Sequence, residues 1–389
     1  MNIKHRIPFA KVTIGESERK YIKEVLDSGW LTTASKTIEF EKRFADFVGA
    51  KFACAVNSCT AALHLAVDAL NMMPGDKVFV PSMTFTASAE VIRYMNADPV
   101  FLDTEYLTNL ITPDILRKAI NNNPDVKYLI IVHYGGQAAD MFEILQICKE
   151  NNIKIVEDAA HAFPSRLNQR MVGSFGDITC FSFYANKTIT TGEGGMIVTD
   201  NEDVYKRVKT MRLHGINKDI WDRFTAKVPS WEYDVVEAGF KYNMPDVTAA
   251  IGLGQLEQAE LFRKERQKAV EFYYSKLSEL KMIDLPITKI PFEDHAWHLF
   301  PIVLNEKSTI SRNEFIDKLS EAGIGTSVHY KPLHQMTYYK TKYNLKVDDF
   351  PNAEKTWQGN VSLPLFPFME KEDLEYICDT IKYILIGKF

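Results

Sequence analysis

One lysine, Lys187, lies between an aromatic-rich segment with strand character and a glycine cluster, in the stretch FSFYANKTITTGEGG (181–195). A lysine enclosed in protein must pair with an acid, lose its proton or carry a covalent group, because burial removes the hydration of its charge. The alternative is a solvated turn lysine, which is the commonest setting for this residue. On either interpretation, Gly192, Gly194 and Gly195 permit positive φ and a close approach of the backbone.

An acidic pair ends a second apolar run, in the stretch IVEDAAHAF (155–163). Glu157 and Asp158 close a segment with strand character, and His161 follows three positions after Asp158. An aspartate in this place commonly caps the turn that follows a strand. The alternative is a carboxylate that faces a ligand in a crevice, and the local pattern leaves both open.

Two further segments follow strand patterns with side chains suited to ligand binding. In AVNSCTAALHLAV (55–67), a predicted helix begins around Ser58, Cys59 and Thr60. Its first N–H groups and hydroxyls could bind an anion or form an ordinary N-cap. In PSMTFTAS, the ring of Phe85 could cover a planar ligand or pack in the core.

Short strand patterns alternate with helix patterns along the first half of the chain, which predicts an α/β fold with a mostly parallel central sheet covered by helices. The predicted strands lie at 51–56, 77–80, 98–103, 127–134, 153–158, 178–183 and 195–200. The continuous apolar run YLIIV fits a central strand buried on both faces. In such sheets, ligands bind beyond the carboxyl ends of the strands, where the candidate residues fall.

A lysine, a carboxylate, an anion-binding helix start and a stacking ring at one sheet edge are the parts that hold pyridoxal 5′-phosphate. The lysine forms the Schiff base, the acid pairs with the pyridinium nitrogen, and the helix start holds the phosphate. No GxGxxG or GxxxxGK[ST] sequence follows any predicted strand, which disfavours dinucleotide and P-loop sites.

The remainder of the chain predicts a smaller C-terminal α+β domain. A long helical pattern covers 247–280, HAWHLFPIVL (295–304) is predicted as a strand, and an amphipathic helix at 374–386 follows. We therefore expect a large cofactor-binding domain over residues 1–250 and a smaller domain over residues 251–389.

Charge and composition disfavour several classes of partner. The chain has 389 residues and a formal net charge of −5 without a basic block, so nucleic acid is not expected as a partner. No apolar run reaches the roughly 18 residues of a membrane span, and none near the N-terminus is long enough for a signal peptide. The five cysteines are scattered singly, which disfavours a zinc knuckle and fits a reducing compartment. We expect a cytoplasmic protein.

These segments resemble the DegT/DnrJ-type nucleotide-sugar aminotransferases, which are pyridoxal-phosphate enzymes of fold type I. The likeness covers nearly the whole chain and includes EDAAHAF, FSFYANKTITTGEGG, VHYGGQAADM, GFKYNMPDVTAAIGLGQLE and SLPLFPFM. Within the family, the chain is most similar to enzymes that aminate the C4 keto group of the sugar, in particular the UDP-4-amino-4-deoxy-L-arabinose aminotransferase type.

The resemblance implies a role for each matching residue. Lys187 matches the catalytic Schiff-base lysine, and Asp158 matches the catalytic partner of the pyridinium nitrogen. The other matches to cofactor-binding residues are Cys59 and Thr60 at the phosphate-binding helix start, Phe85 as the stacking aromatic, His161 near the ring and its phenolic oxygen, Ser182 on the phosphate, and Asn243, which reaches the phosphate from the partner subunit. The residues expected to bind substrate are Trp30, Thr32, His329 and Tyr330.

The implied enzyme is a homodimer with shared active sites that moves an amino group from glutamate to a nucleotide-linked 4-keto sugar. One departure from the family pattern bears on the substrate. Ala34 and Ser35 follow the DSGWLTT segment where relatives often have glycine, which affects the expected sugar or nucleotide pocket.

The sequence leaves some other functions open and disfavours others. Amination at C3 and a non-catalytic regulator that senses a nucleotide sugar remain alternatives, whereas a dehydratase is disfavoured because some relatives of that class replace the position of Lys187 by histidine. A zinc hydrolase was considered for His295 and His298, and for His329 and His334. It is disfavoured because a three-residue offset on the predicted strand puts His295 and His298 on opposite faces. No metal is expected.

Overall fold

A seven-stranded sheet forms the centre of the protein in a computed structural model, which describes residues 6–217 and 233–387. The first five residues, part of the N-terminal stretch considered for a signal peptide, lie outside the described residues. The strands of the first half of the chain are β1 (Phe52–Val56), β2 (Lys77–Pro81), β3 (Asp98–Leu102), β4 (Tyr128–Val132), β5 (Lys154–Asp158), β6 (Arg166–Leu167), β7 (Arg170–Met171), β8 (Ile178–Ser182) and β9 (Gly195–Thr199). Each strand of the central sheet overlaps a segment predicted as a strand, and only β2 extends beyond it, by one residue.

The order across the sheet is β1-β9-β8-β5-β4-β2-β3, and the short strands β6 and β7 form a separate ribbon. Six strands run in one direction, while β9 runs antiparallel between β1 and β8. All five residues of β4 are buried, as its continuous apolar sequence predicts for a strand covered on both faces. The mostly parallel α/β fold is thereby confirmed.

Helices cover both faces of this sheet. They are α1 (Glu16–Ser28), α2 (Ser35–Val48), α3 (Cys59–Ala69), α4 (Ala87–Tyr94), α5 (Pro113–Asn122), α6 (Met141–Glu150) and α7 (Glu202–Met211). The most enclosed is α3, in which every residue from Ala61 to Ala69 is buried. Helix α3 packs directly on β5, β8 and β9. Because it begins at Cys59, just after β1 ends at Val56, its N-terminus lies at the carboxyl edge of the sheet.

A smaller α+β part follows, as predicted. Its elements are α8 (Asp246–Glu257), α9 (Ala259–Leu277), β10 (Ile283–Asp284), β11 (Phe300–Leu304), α10 (Arg312–Glu321), α11 (Thr337–Tyr343), α12 (Pro351–Gly359), β12 (Asn360–Leu363) and α13 (Lys371–Ile386). The three strands form an antiparallel sheet in the order β10-β11-β12. This sheet shares an apolar core with α9, α10 and α13.

The helical pattern predicted over 247–280 forms two helices, because the chain breaks at Gln258 between α8 and α9. Helix α8 packs against α1 and α2. Along α9, Phe262 belongs to the core beside the central sheet, and Tyr273 belongs to the core of the C-terminal sheet. The domain division between residues 250 and 251 stays a prediction, and it passes through α8.

The strand predicted over 295–304 forms only in its second half, as β11. Trp297 has a φ of 48°, which a continuous strand does not allow. The backbone on either side of it instead donates hydrogen bonds to the carbonyls of Gly135–Gly136. His295 and His298 therefore do not lie on a strand, and the argument that placed them on opposite strand faces was wrong.

Buried hydrogen bonds fasten the C-terminal part to the end of β2. Ser82 Oγ lies 2.5 Å from His334 Nδ1, and His334 Nε2 lies 2.8 Å from Glu354 Oε1. A carboxylate only accepts, so Nε2 donates to Glu354 and Ser82 donates to Nδ1. Ser82 is fully buried, so this serine, histidine and acid are not open to a substrate. They hold the segment that carries His329 and Tyr330 against the sheet.

A buried ion pair joins α2, β1 and the end of α7. Arg212 Nη1 donates to the carboxylate of Glu41 and, at 2.8 Å, to the carbonyl of Ala55. Glu41 also accepts a hydrogen bond from the backbone N–H of Ala55 at 2.8 Å. Both charged side chains are less than a tenth exposed. Each charge therefore receives from the other part of the interactions that water would otherwise supply.

We expect Glu41→Ala to lower the free energy of unfolding by about 3 kcal/mol, because it leaves a buried guanidinium without its carboxylate. The measurement is urea denaturation of the purified protein. The control is Asp46→Ala on the same helix, where the carboxylate pairs with Lys42 at the surface. That change is expected to cost no more than about 0.5 kcal/mol. Equal losses in the two variants would contradict the importance of the buried pair.

Candidate active site

The carboxyl ends of the central strands border a cavity of about 360 Å³. The site residues predicted from the sequence that line it are Cys59, Thr60, Phe85, Asp158, His161, Ser182, Lys187, His329 and Tyr330. The remaining three, Trp30, Thr32 and Asn243, do not line it. The parallel direction of the strands is the reason that residues far apart in the chain meet here.

Lys187 lies on the turn between β8 and β9. Its backbone N–H donates to the carbonyl of Tyr184 at 2.9 Å, and the turn closes where the N–H of Thr191 donates to the carbonyl of Phe183 at 2.9 Å. The side chain is partly buried and borders the cavity. Burial lowers the pKa of Lys187 to about 8, although Cys59 and Asp158 act in the opposite direction. The amine therefore loses its proton far more readily than an exposed lysine.

Asp158 ends β5 and is 5% exposed. Its Oδ2 accepts a hydrogen bond from Ser88 Oγ at 2.7 Å, and its Oδ1 accepts one from the N–H of Ala160 at 3.1 Å. The aspartate thus caps the following turn and also faces the cavity, so both sequence interpretations hold. Burial raises the pKa of Asp158, while Ser88, Ala160 and Lys187 oppose the rise.

Glu157 points to the other side of β5, as the alternation along a strand requires. It is fully buried, and its Oε1 accepts hydrogen bonds from the N–H of Gly176 at 2.6 Å and from Thr179 Oγ1 at 2.9 Å. His133 Nε2 lies 2.8 Å from Oε2 of the same carboxylate. Glu157 therefore supports the strand from within, and Asp158 is the acid that faces the cavity.

The start of α3 and the end of β8 form the anion-binding part of the cavity. Ser58 is the N-cap, and its side chain accepts a hydrogen bond from the N–H of Ala61 at 3.0 Å. Cys59 and Thr60 follow in the first turn, whose N–H groups favour an anion. Gly195 passes so close that a Cβ there would lie 2.6 Å from the Ser58 carbonyl oxygen. Ser182 brings a partly buried hydroxyl to the same cavity.

Phe85 is not a core residue. Its side chain is 56% exposed, and its ring centroid lies 5.8 Å from that of Tyr330 across the cavity wall. A large apolar ring left open beside a cavity is suited to stacking on a flat ligand. The structure thus favours the ligand-covering alternative over the core alternative for this residue.

Two neutral histidines, His161 and His329, line another part of the cavity, and His298 packs against His161. The ring of His161 lies 4.5 Å from that of His298, measured between centroids. Burial lowers the pKa of His329 to about 3 and holds the pKa values of His161 and His298 well below their usual range. These side chains bring polar atoms close to Lys187 without adding charge.

Sequence reasoning missed two contributors to the site. Ser88, the donor to Asp158, stands in the quoted motif PSMTFTAS, where its position three residues after Phe85 was the available signal. His298 enters the sequence analysis only as a candidate zinc ligand, whereas in the structure its ring packs against that of His161. In the described part of the chain, its Nδ1 is buried without a hydrogen-bond partner.

Asn243 and the segment that carries Trp30 and Thr32 lie together outside the chain's own cavity. Asn243 Nδ2 donates to Thr33 Oγ1 at 2.7 Å, and the N–H of Asp246 donates to the carbonyl of Thr32 at 3.4 Å. The roles expected for these residues, in the partner's site and in substrate binding, stay predictions.

The residues present fit pyridoxal phosphate. Burial raises the pKa of the Asp158 carboxyl, so its ionised form needs a cationic partner. A protonated ring nitrogen is such a partner and favours the ionised carboxylate. Lys187 supplies an amine of lowered pKa, the start of α3 with Ser182 supplies a phosphate site, and Phe85 supplies a flat apolar face. The cofactor, when bound, supplies the electron sink for amino-group transfer. Fold and site thus define a pyridoxal-phosphate transaminase.

Comparisons with known proteins agree. Residues 12–382 match the DegT/DnrJ/EryC1/StrS aminotransferase family. The chain is 41% identical over 387 residues to the spore coat polysaccharide biosynthesis protein SpsC of Bacillus subtilis, with 98% of each chain covered. Among solved structures, it is similar to the sugar aminotransferase Spr1654 of Streptococcus pneumoniae in its PLP form (33% identity, TM-score 0.89, covering 98% and 99% of the two chains). It is also similar to PseC of Helicobacter pylori, an aminotransferase of pseudoaminic acid biosynthesis (26% identity, TM-score 0.90, covering 98% and 100%).

The chain belongs to the DegT/DnrJ/EryC1/StrS aminotransferase family. It is a sugar aminotransferase that depends on pyridoxal phosphate, which confirms the class and the cofactor predicted from the sequence. In the ranges that the structure describes, no helix is long and apolar enough to cross a membrane. The same ranges contain no group of three or more His, Cys, Asp or Glu side chains placed to hold a metal ion.

We expect the Lys187 amine of the cofactor-free protein to react with trace acetic anhydride with a midpoint near pH 8, since its pKa is lowered to about 8. Only the neutral amine reacts, and a typical exposed lysine reaches that form around pH 10.4. Peptide mass spectrometry across a pH series measures the midpoint. Asp158→Asn should move it lower still, because Asp158 stabilises the ammonium. A midpoint at the ordinary lysine value in both proteins would contradict the effect of burial.

Proposed function

We propose that this enzyme transfers an amino group from L-glutamate to the C4 keto group of a nucleotide-linked sugar, in the synthesis of an amino sugar for a surface glycan. The observation that carries the proposal is the meeting of Lys187 and Asp158 at one cavity beside a phosphate-type helix start. Support for the pathway class comes from SpsC, named for polysaccharide biosynthesis, and from PseC, named for pseudoaminic acid biosynthesis. The choice of C4 rests on the sequence resemblance.

Lys187 acts as the proton carrier. Its Nζ, neutral at a mildly alkaline pH because of burial, removes the α-proton of the amino donor in the first half-reaction. In the second half-reaction, the same atom delivers a proton to the sugar carbon. Asp158 acts as a fixed negative charge, held by Ser88 and the N–H of Ala160, that keeps its cationic partner protonated.

The proposed enzyme is a homodimer with shared active sites. The support is the position of Asn243, which lies beside Thr32 and Thr33 and away from its own cavity. A patch of ligand-type side chains outside the chain's own site is what a C2 dimer would place over the site of its partner. Trp30 and Thr32 are proposed to contact the sugar there.

We expect purified protein to convert L-glutamate and a 4-keto nucleotide sugar into 2-oxoglutarate and a 4-amino sugar, detected by mass spectrometry and NMR. The substrates tested are a panel of nucleotide sugars that includes both 4-keto and 3-keto sugars. Lys187→Ala should show no turnover, because the Schiff-base amine and proton carrier is lost, and the exposed Lys42→Ala is the matched control. Amination confined to 3-keto sugars would contradict the C4 assignment. Absence of 2-oxoglutarate with every sugar would contradict the assignment of glutamate as the amino donor.

We expect Asn243→Ala alone to retain the cofactor poorly and Lys187→Ala alone to be inactive. If the site is shared, a dissociated and reassociated equimolar mixture forms heterodimers with one intact site each. Since about half of the dimers are then mixed, activity should reach about a quarter of the wild-type value. Activity no higher than the mean of the two separate variants would mean that each chain completes its own site.

A further inference from the structure

A chain of directed hydrogen bonds runs from Gly135 through His161 to Tyr330. The backbone N–H of Gly135 donates to His161 Nδ1 at 3.2 Å. A backbone N–H can only donate, so Nδ1 of this ring is an acceptor and carries no proton. The far nitrogen, Nε2, lies 2.8 Å from the hydroxyl oxygen of Tyr330.

The neutral state of His161 determines the direction of the second bond. Burial holds the pKa of His161 well below its usual range, and Lys187 and His329 lower it further. A neutral imidazole has one proton, which must be on Nε2 because Nδ1 accepts. Nε2 therefore donates to Tyr330, and the tyrosine oxygen is an acceptor in this contact. The proton of the Tyr330 hydroxyl must then point to another acceptor.

The position of Tyr330 directs that proton towards the cavity. Tyr330 lines the cavity together with Lys187 and Phe85. Within the described ranges, His161 is the only hydrogen-bond partner of its hydroxyl. Burial raises the pKa of Tyr330 well above its usual range, so the hydroxyl keeps its proton. The neighbouring Tyr134 does not compete, since its hydroxyl donates to the carbonyl of His329.

The loop that carries Tyr330 is held from behind. Its backbone N–H contacts Met83 Sδ at 3.5 Å, and four residues later His334 is fixed by Ser82 and Glu354. The donor is thus attached to the strand end that also carries Phe85. A donor held in place before the ligand arrives needs no reorganisation when it binds.

We propose that the Tyr330 hydroxyl donates a hydrogen bond to the carbonyl oxygen of the keto sugar, and that His161 is the positioning residue that turns it there. The proposal rests on the proposed function, which brings a keto sugar beside Lys187. Amination exchanges that oxygen for nitrogen: the amine attacks the carbon, and the oxygen leaves as water with the two protons of the amine. A hydrogen bond to the oxygen draws electrons away from the carbon that the amine attacks. Tyr330 keeps its own proton throughout.

The phenolic oxygen of the cofactor is the other acceptor with matching chemistry, and the experiment separates the two. Tyr330→Phe holoenzyme is converted to its pyridoxamine form and mixed with 3-keto and 4-keto nucleotide sugars in single turnovers. The absorbance spectrum of the bound cofactor is recorded across pH in parallel. Tyr134→Phe is the matched control, because it removes a nearby hydroxyl whose acceptor, the His329 carbonyl, still receives a hydrogen bond from Asn360.

We expect Tyr330→Phe to slow the turnover of keto sugar about 100-fold, the loss typical of one such donor, with wild-type cofactor spectra. Tyr134→Phe should stay within about threefold of the wild-type rate, because its hydroxyl does not face the ligand. A wild-type rate for Tyr330→Phe would overturn the proposal. So would a changed pH titration of the cofactor spectrum without slower amination, since that result assigns the hydroxyl to the cofactor.

The positioning role of His161 has its own test. His161→Leu removes both hydrogen bonds and should slow amination, whereas His161→Gln keeps a donor and an acceptor and should restore part of the rate. In the Tyr330→Phe background, His161→Leu should cost less than about threefold more, because both changes remove one coupled unit. Losses that multiply would show that His161 acts independently of Tyr330.

Failure of the proposed function would show in the wild type. A wild-type enzyme that takes another amino donor or aminates C3 would contradict that part of the proposed function. The ratio of the amination rate of Tyr330→Phe to that of the wild type, measured with whichever sugar reacts, would still test the role of Tyr330. If the wild type aminates as proposed and the rate of Tyr330→Phe equals that of the wild type, the proposed function is supported and only the role of Tyr330 is contradicted.

Discussion

Burial of an amine and a carboxyl at one edge of a sheet is the constraint on which the site depends. Loss of water lowers the pKa of Lys187 to about 8 and raises the pKa of Asp158. Desolvation acts against the charged form of both groups, so it favours the neutral amine and the neutral carboxyl. A lysine in this condition can carry protons near neutral pH, and an acid in this condition is completed by a cationic ligand. The chemistry of the enzyme follows from where these two side chains are enclosed.

The side chains packed around Lys187 and Asp158 add little further charge to the cavity. The histidines nearest the lysine are neutral because they are buried as well. The acid next in sequence, Glu157, is turned away and satisfied by its own hydrogen bonds. The C-terminal part contributes His329 and Tyr330, and the buried link between Ser82 and His334 holds them in place. Polar groups around the cavity are therefore mostly neutral donors and acceptors with fixed directions.

Much of the fold could be predicted because a buried parallel strand has a short apolar sequence that ends in polar residues. All the strands of the central sheet were predicted for this reason, and nine of the predicted site residues line one cavity. The secondary-structure predictions were wrong where the local residue pattern does not indicate the conformation of the backbone. Nothing in the composition of 247–280 marks the break at Gln258, and no propensity indicates the positive φ of Trp297. The roles of Asn243, Trp30 and Thr32 depend on a second chain, which one sequence does not place.

The sequence by itself determined the class of cofactor and the residues that meet it, because side-chain chemistry and its position after each strand are local properties. It also indicated the family. Only the tertiary structure decided that Phe85 stays exposed, that Asp158 both caps a turn and faces the cavity, and that His161 carries its proton on Nε2. These features arise from burial and from contacts between residues distant in the chain, such as Gly135 with His161 and His161 with Tyr330. Protonation and direction are properties of the folded surroundings, and residue identity alone does not contain them.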